Sequence, residues 1–575
     1  MPSVKILLSL VFIVFIHFTI AWLNNQPVDV GPDIPAGKLR SLSFAPFHQD
    51  FSPIKEKFPL PEHIQEDMQK VADKTYSIRT YSVRDGMQPT PGFARKYGVE
   101  MLMGAWLGNG HAENKLEIEA LIKAANDNAD VVKRVVVGNE VMLRKDMAID
   151  TLIGYIRQVK QAIRQPVTFA DVWSSYMQYP QLFNEVDFIT IHILPYWEDE
   201  PVAIENAAAH VEKIIKQIED KARSVGVNKP ILIGESGWPA VGRQRGAAIP
   251  SVINEARYIR ELIQVANQHG FDYNIVEAFN QPWKSHSEGV VGANWGLLNI
   301  DREPVFPLTG PVQENPDWLI EFAWATGLSV LAVGMAVNAL QAYTLPQLLI
   351  FVSMAQLFGI SLVGLVDLGW STSYNLWQQA YSVLMIVANI LLAAGLLQRF
   401  HAVLRSQSAN PTLTKALHIG YVLFALLAVF KSYQLATDGR YLSFPVEQFA
   451  VPAQGILGMV LCLIITENRI NLSMTDLSGD TQNYPWERRL AYVMMSGIVG
   501  VVLGETYGFM SAYDFIQAHP TVLEGLPVAL GYTLQNQQLL SWLLCCLILS
   551  LPFWRKAAAI VASVVKEHPI TITRR

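Results

Sequence analysis

The first half of the chain is built from short apolar runs separated by longer stretches whose apolar residues recur at helical spacing. The runs fall at 39–45, 77–81, 100–105, 132–138, 167–171, 188–192, 231–234 and 273–277. Some are apolar throughout rather than alternating, as at Ile231, Leu232 and Ile233 or at Val135, Val136 and Val137. That suits strands covered on both faces of a parallel sheet. Between the runs, 113–128, 149–163, 201–224 and 251–269 carry the periodicity of amphipathic helices. The stretch that should supply the fifth helix, near 176–183, is the weakest. Eight strands alternating with helices predict an α/β fold, a (β/α)8 barrel of the TIM type.

Past Pro316 the pattern changes. Long apolar runs at 318–340, 345–366, 376–397, 416–430, 452–466, 490–510 and 539–553 predict an all-α polytopic membrane domain. The shorter ones borrow flanking residues to reach the roughly 20 that a span requires. Another run, 6–23, follows Lys5 and leads into Asn24, Asn25 and Gln26 rather than a small-residue cleavage site. It reads as an uncleaved anchor, which makes eight spans in all. Residues 24–38, with three prolines, read as a linker, 39–317 as a catalytic domain and 318–575 as the membrane domain. With Lys5 inside, the barrel falls outside. The inner loops then hold Arg399, Arg405, Lys415, Arg469, Arg488 and Arg489, with a tail carrying Arg555, Lys556, Lys566, Arg574 and Arg575. The outer loops hold only Lys431 and Arg440, in keeping with a positive-inside bias.

Charge divides the chain at the same place. Residues 24–317 hold 30 Lys+Arg and 38 Asp+Glu, whereas 318–575 hold 13 and 12. The first part is mildly acidic with no basic patch, which argues against nucleic acid and suits an uncharged ligand such as sugar. The three cysteines, Cys462, Cys545 and Cys546, all lie in apolar runs of the second part, so no disulfide holds the barrel.

The candidate chemistry sits where strands end. In PILIGESGWP (230–239) an apolar run passes through Gly234 to Glu235, and Trp238 and Pro239 cannot extend it. In VVVGNE (135–140) the same order recurs, ending on Glu140. The two carboxylates are 95 residues apart. A β/α unit takes roughly 30 residues, so they stand about three units apart and face each other across a barrel mouth. Paired carboxylates across a cleft are the equipment of a glycosidase. His192, at the end of the sixth run, stands without a second His or Cys at ligand spacing, so no metal is expected.

The motifs Gly138-Asn139-Glu140, Glu235-Ser236-Gly237-Trp238-Pro239 and EAFNQPWK (277–284), in this order and spacing, resemble glycoside hydrolase family 17, the β-1,3-glucanases and β-1,3-glucan transglycosylases. The resemblance covers 39–308, about half of the chain. It implies Glu140 as acid/base and Glu235 as nucleophile of a retaining reaction, with Asn139 on the sugar 2-hydroxyl. It implies an aromatic hydroxyl against the nucleophile, for which Tyr196 is a candidate, with Tyr81 and His192 also at strand ends. Glu277 ends the eighth run as either a substrate contact or a structural group. Trp238, Trp283, Lys284 and Trp295 lie on mouth loops, where an indole either packs or buries a sugar face. Relatives often read EAFDEPWK; Asn280 and Gln281 replace two acids here and are expected to alter hydroxyl contacts.

Three functions follow from these features: a transglycosylase, a hydrolase of the same glucan, or a sugar-binding ectodomain of a sensor or transporter. The intact carboxylate pair disfavours the last. No DxD or QxxRW pattern of a sugar-nucleotide synthase is present, so neither a nucleotide donor nor any cofactor is expected. The membrane domain tips the choice toward synthesis, because bacterial membrane-bound proteins similar to this one are associated with cyclic or branched β-glucan. The expected partners are a β-1,3-linked gluco-oligosaccharide, as donor and acceptor, and the lipid bilayer; a partner synthase or exporter stays unidentified. The expected location is a bacterial inner membrane with the barrel in the periplasm. In VVLGETYGFM (501–510) Glu505 is either an intramembrane functional group or a side chain reaching the interface.

Overall fold

The computed structural model describes residues 4–408, 410–482 and 484–554. Its first half is a closed barrel of parallel strands: β1 (Leu39–Ser43), β2 (Thr75–Arg79), β3 (Glu100–Ala105), β4 (Val132–Asn139), β5 (Val167–Val172), β6 (Ile189–His192), β7 (Ile231–Ser236) and β8 (Asp272–Ile275). β1 starts its pairing with β2 at Leu39↔Thr75 and meets β8 at Leu42↔Ile275, which closes the ring. The apolar runs follow from two-sided burial. Val136, Ala170 and Leu232 turn inward and pack with Leu102 and Phe188. Their neighbours Val135, Val137, Ile231 and Ile233 turn outward into the larger core beneath the helices.

Helices His111–Asp127, Ile149–Ala162, Ile204–Ser224 and Val252–His269 cover the barrel close to where the periodicity places them. The weak fifth helix is two short pieces, Trp173–Gln178 and Leu182–Glu185, with Pro180 between them. Residues 24–38 are not a free linker. Val30 and Ile34 are buried against the barrel, and Val28 bridges Val312, so the two chain segments that leave the barrel run side by side.

Among the described residues, seven helices are long and apolar enough to cross a membrane: Val4–Asn24, Trp318–Leu340, Leu345–Ser371, Leu376–Leu404, Pro411–Tyr441, Val446–Glu467 and Glu487–Met510. Val4–Asn24 packs into the bundle, with Ile6 in its core, Lys5 donating to the Tyr343 carbonyl and His17 against Phe322. The last span differs from expectation. Helices Val522–Gln535 and Gln537–Phe553 meet at a 74° bend. Asn536 makes the break, its side-chain oxygen capping the second helix at the Leu539 N–H. The first helix leaves Leu523, Leu526, Leu530 and Leu534 exposed at helical spacing, a stripe suited to lying along an apolar surface. The basic tail from Arg555 to Arg575 lies outside the described residues.

The barrel meets these helices through the loops that follow β6, β7 and β8. Asp199 accepts the Asp514 N–H, and Glu200 accepts from the Tyr532 hydroxyl. Gln244 enters the break at Asn536: its amide donates to the Gln535 carbonyl, its side-chain oxygen accepts the Gln537 N–H, and its own carbonyl accepts from Asn536. Arg243 is 2% exposed; it pairs with Glu505, donates to the Leu442 carbonyl and lies over Phe444. Glu505, within helix Glu487–Met510, thus meets a cation of the barrel.

Candidate active site

Glu140 follows β4 and Glu235 lies within β7, both at the C-terminal end of the barrel. Strict alternation would turn Glu235 outward, because Leu232 points inward. β7 prevents this with a register shift between Ile233 and Ser236. Ser236 takes the outward place instead, its hydroxyl bonded to the Ile193 carbonyl and to Tyr258 on the covering helix. β4 shifts likewise between Val136 and Asn139, and Glu140 adopts φ 51°, a region that costs a residue with a side chain. Such irregularities re-aim single side chains at the rim of a barrel.

Glu235 pairs directly with Arg79, and Glu140 is linked to it through His192; the sequence reading overlooked this arginine. It sits at the end of β2 and is 1% exposed. Its Nη1 donates to Glu235 Oε1 at 3.1 Å and to the Gly234 carbonyl at 2.6 Å, and its Nη2 donates to Asn139 Oδ1. Gly234 is required here: a Cβ would stand 2.6 Å from Thr190 and 3.3 Å from Arg79 Nη1. His192 bridges the pair. Its Nδ1 is 3.0 Å from Glu140 Oε1, and its Nε2 is 3.3 Å from Arg79 Nη1 and 3.7 Å from Glu235 Oε1. An arginine donor facing Nε2 makes that nitrogen the acceptor, so the ring proton sits on Nδ1 and is donated to Glu140. Burial pushes the Glu140 carboxyl up, but the His192 bond and the nearby Arg144 and Arg79 outweigh it and hold the group below its ordinary value.

The turn after Glu140 is anchored from two sides. Arg144 donates to the Asn139 and Leu107 carbonyls. Asp171, on β5, accepts the N–H groups of Met142 and Leu143. Burial, and next the Glu140 charge, push Asp171 up to about 6. On the β8 side Glu277 is 2% exposed and lies 2.6 Å from Lys284 Nζ. Burial raises Glu277 to about 7 against the pull of Lys284. Lys284 itself is held above its ordinary value, because Glu277 and Glu288 outweigh its own burial. The two directions compete; the short contact favours the ion pair. Glu288 is raised by burial, drawn back by Lys284, and raised further by Glu140 and Glu235, which places it at the same cleft.

Other expected residues fall differently. Tyr81, rather than Tyr196, is the hydroxyl beside Glu235: it bonds Ser43 at 2.7 Å, lies against Arg79, and is raised by burial and then by the Glu235 charge. Tyr196 is fully buried and donates to the Arg243 carbonyl. Trp238 is also fully buried, donating to the Ile249 carbonyl, and Trp295 is nearly so. Both rings pack rather than line the mouth. Trp283 keeps partial exposure, with its N–H on Gln281. Asn280 and Gln281 bond within the loops: Gln281 donates to the Ala45 carbonyl, and Asn280 accepts the Gly296 N–H and donates to Asn294. Both side chains thus tie neighbouring loops together. The overlooked groups had a signal. Arg79 ends an otherwise uncharged strand, and Asp171 and Glu288 lie where charge is costly unless it is used.

Residues 41–296 match the family described as the BtgE/BtgC glycoside hydrolase domain. The chain is 28% identical over 258 residues to a glucan 1,3-beta-glucosidase of Arthroderma benhamiae, covering 42% of this chain and 82% of that one. It is 27% identical over 238 residues to a glucan 1,3-beta-glucosidase of Schizosaccharomyces pombe, covering 39% and 74%. It is 29% identical over 178 residues to a probable family 17 glucosidase, SCW10, of Saccharomyces cerevisiae, covering 30% and 44%. Among solved structures, an active-site mutant of a Rhizomucor miehei beta-1,3-glucanosyltransferase in complex with laminaritriose aligns with TM-score 0.42 and 24% identity, over 48% of this chain and 98% of that one.

Oxygens of Glu140 and Glu235 and a ring nitrogen of His192 all lie within 4.8 Å of one another, a spacing that a divalent ion would also use. The Arg79 guanidinium already fills that role beside Glu235 and His192, so a second cation there meets a buried positive charge. Dialysis against a strong chelator is therefore expected to leave turnover unchanged, with no stoichiometric zinc or manganese in the purified protein by elemental analysis. Loss of turnover restored by one of these ions would contradict this assignment.

Proposed function

We propose that this chain, whose barrel places it with glycoside hydrolase family 17, is a membrane-anchored retaining transglycosylase acting on β-1,3-glucan. The observation that carries the proposal is the approach of the Glu140 and Glu235 oxygens to within 4.8 Å. Retaining glycosidases hold their carboxyls about 5–5.5 Å apart, and inverting ones about 6.5–9.5 Å, to admit a water. Glu235 is the nucleophile: Arg79 holds its anionic oxygen in place beside the anomeric carbon. Glu140 is the acid/base. Burial is what raises its proton affinity, so a glucan that covers it loads the proton that the leaving oxygen then takes. Asn139 turns its oxygen to Arg79, which leaves its NH2 to donate to the sugar 2-hydroxyl.

In the first step Glu235 forms a bond to the anomeric carbon, the glycosidic C–O bond breaks, and the Glu140 proton passes to the departing oxygen. In the second, Glu140 takes the proton of an incoming hydroxyl, whose oxygen displaces Glu235. Transfer and hydrolysis differ only in whose hydroxyl this is. A sugar prevails over water when it is held in place, and positioning can contribute on the order of 7–11 kcal/mol. Docking of the β6, β7 and β8 loops against the C-terminal helices favours transfer, since it closes that side of the mouth to bulk water. A hydrolase is the second reading, favoured by the glucosidase relatives.

We place residues 318–554 in a bacterial inner membrane, with the barrel, residues 39–317, in the periplasm, where it remodels an emerging glucan. The sequence apolarity of the long helices and the basic inner loops support this orientation.

Incubation of the full-length protein with millimolar laminarihexaose, followed by mass spectrometry, is expected to yield sugars longer than the substrate. Only shorter sugars at every concentration would make it a hydrolase. A cysteine substituted for the exposed Lys145 is expected to react with an impermeant maleimide in intact spheroplasts; labelling only after lysis would reverse the orientation.

A further inference from the structure

We propose that the glucan cleft is a composite site, in which Tyr441, from the membrane domain, forms an outer glucosyl subsite together with Trp197 of the barrel. The inference rests on the function proposed above and adds a residue outside the family-17 match, which ends at residue 296.

The geometry leads outward from the carboxylates in two lines that meet at Tyr441. The first begins two residues past Glu235, where a Cβ on Gly237 would stand 3.3 Å from the Trp295 ring. Trp295 stacks on Trp197, with ring centroids 6.5 Å apart and planes at 16°. Trp197 in turn meets Tyr441 edge-on at 5.8 Å. The second line begins at Glu288, whose carboxyl feels the charges of both Glu140 and Glu235. Its neighbour Gly289 has φ 69°, and a Cβ there would lie 2.0 Å from the Tyr441 carbonyl, so this loop and the membrane segment are in direct contact.

Exposure separates the three rings. Trp295 is buried and Trp197 is partly buried, but Tyr441 is 37% exposed. An open aromatic face beside a sugar cleft, with a hydroxyl at its tip, matches a pyranose ring, which has an apolar face and an equatorial rim of hydroxyls. The competing account is an interfacial tyrosine at the end of its helix, Pro411–Tyr441, that meets only headgroups.

Contacts on either side of Tyr441 join the barrel to the helices. The same interface buries Arg243, Gln244 and Arg245. Asn294, in the loop after β8, donates to the Tyr374 hydroxyl at 2.9 Å. A subsite built across two domains works only when both are held in register, and these contacts hold them.

The test uses full-length protein in nanodiscs and a series of laminari-oligosaccharides from two to seven units. Tyr441→Ala is expected to lower kcat/KM by about tenfold on the longer substrates, the worth of one aromatic contact, while leaving the shortest productive substrate unchanged. Tyr441→Phe should retain most of the long-chain preference. Tyr374→Phe, which cuts an interface bond away from the proposed subsite, should not show the length dependence. A uniform loss at all lengths in Tyr441→Ala, or no loss at any length, would overturn the proposal and leave Tyr441 a packing or interfacial residue. Should Tyr441→Ala misassemble, Tyr441→Leu keeps the bulk without the ring and must give the same length-dependent loss. Wild-type protein inactive on the whole series would instead refute the glucan-active reading.

Discussion

One buried guanidinium organises the mouth of this barrel. Two carboxylates whose oxygens lie within 4.8 Å repel each other, by on the order of 3 kcal/mol at an effective dielectric near 20. Arg79 offsets the repulsion by bonding Glu235 directly and by reaching Glu140 through His192. The same group fixes the orientation of the Asn139 amide and the tautomer of His192. Its own burial is tolerable because it finds Glu235, the Gly234 carbonyl and Asn139 around it; a buried charge stripped of such partners is strongly destabilising.

The backbone is arranged to let that group in. Gly234 carries no Cβ because Thr190 and Arg79 occupy the space, and β4 and β7 both shift register just before their carboxylates. This marks how far the sequence could be read. Apolar runs announce buried strands, because two-sided burial leaves no alternation, and strand ends with Gly followed by Glu announce chemistry. The barrel, its order and both carboxylates were legible for that reason. The shift that turns Glu235 inward was not, since it depends on which neighbour gives way, here Ser236 finding Tyr258. Tyr81 and Tyr196 stand at comparable strand ends, and only the packing around Arg243 decides that Tyr196 faces away. Trp238 and Trp295 were ambiguous for a related reason: an indole in a mouth loop packs inward as readily as it faces a ligand.

The helical half was legible as apolar length and little more. Composition marks the long helices but is blind to a break such as the one at Asn536, where the polar cluster Gln535, Asn536, Gln537 and Gln538 receives a loop of the barrel. Glu505 illustrates the same limit. An isolated carboxylate in an apolar run is costly, and its partner Arg243 lies 262 positions away in the chain. The two halves thus complete each other's charges, and the catalytic end of the barrel is the end that faces the helices.

The account stands on Glu235 being the group that holds the sugar. The most direct measurement is reaction of the full-length protein with a 2-deoxy-2-fluoro-β-laminaribiosyl fluoride, whose good leaving group needs little acid assistance, followed by digestion and mass spectrometry. The account predicts a stable adduct on the peptide carrying Glu235. It predicts that Glu140→Gln still forms that adduct, although its turnover of β-1,3-glucan falls by about 10²–10⁴-fold. An adduct on Glu140 or Glu277, or no adduct while glucan is turned over normally, would contradict it.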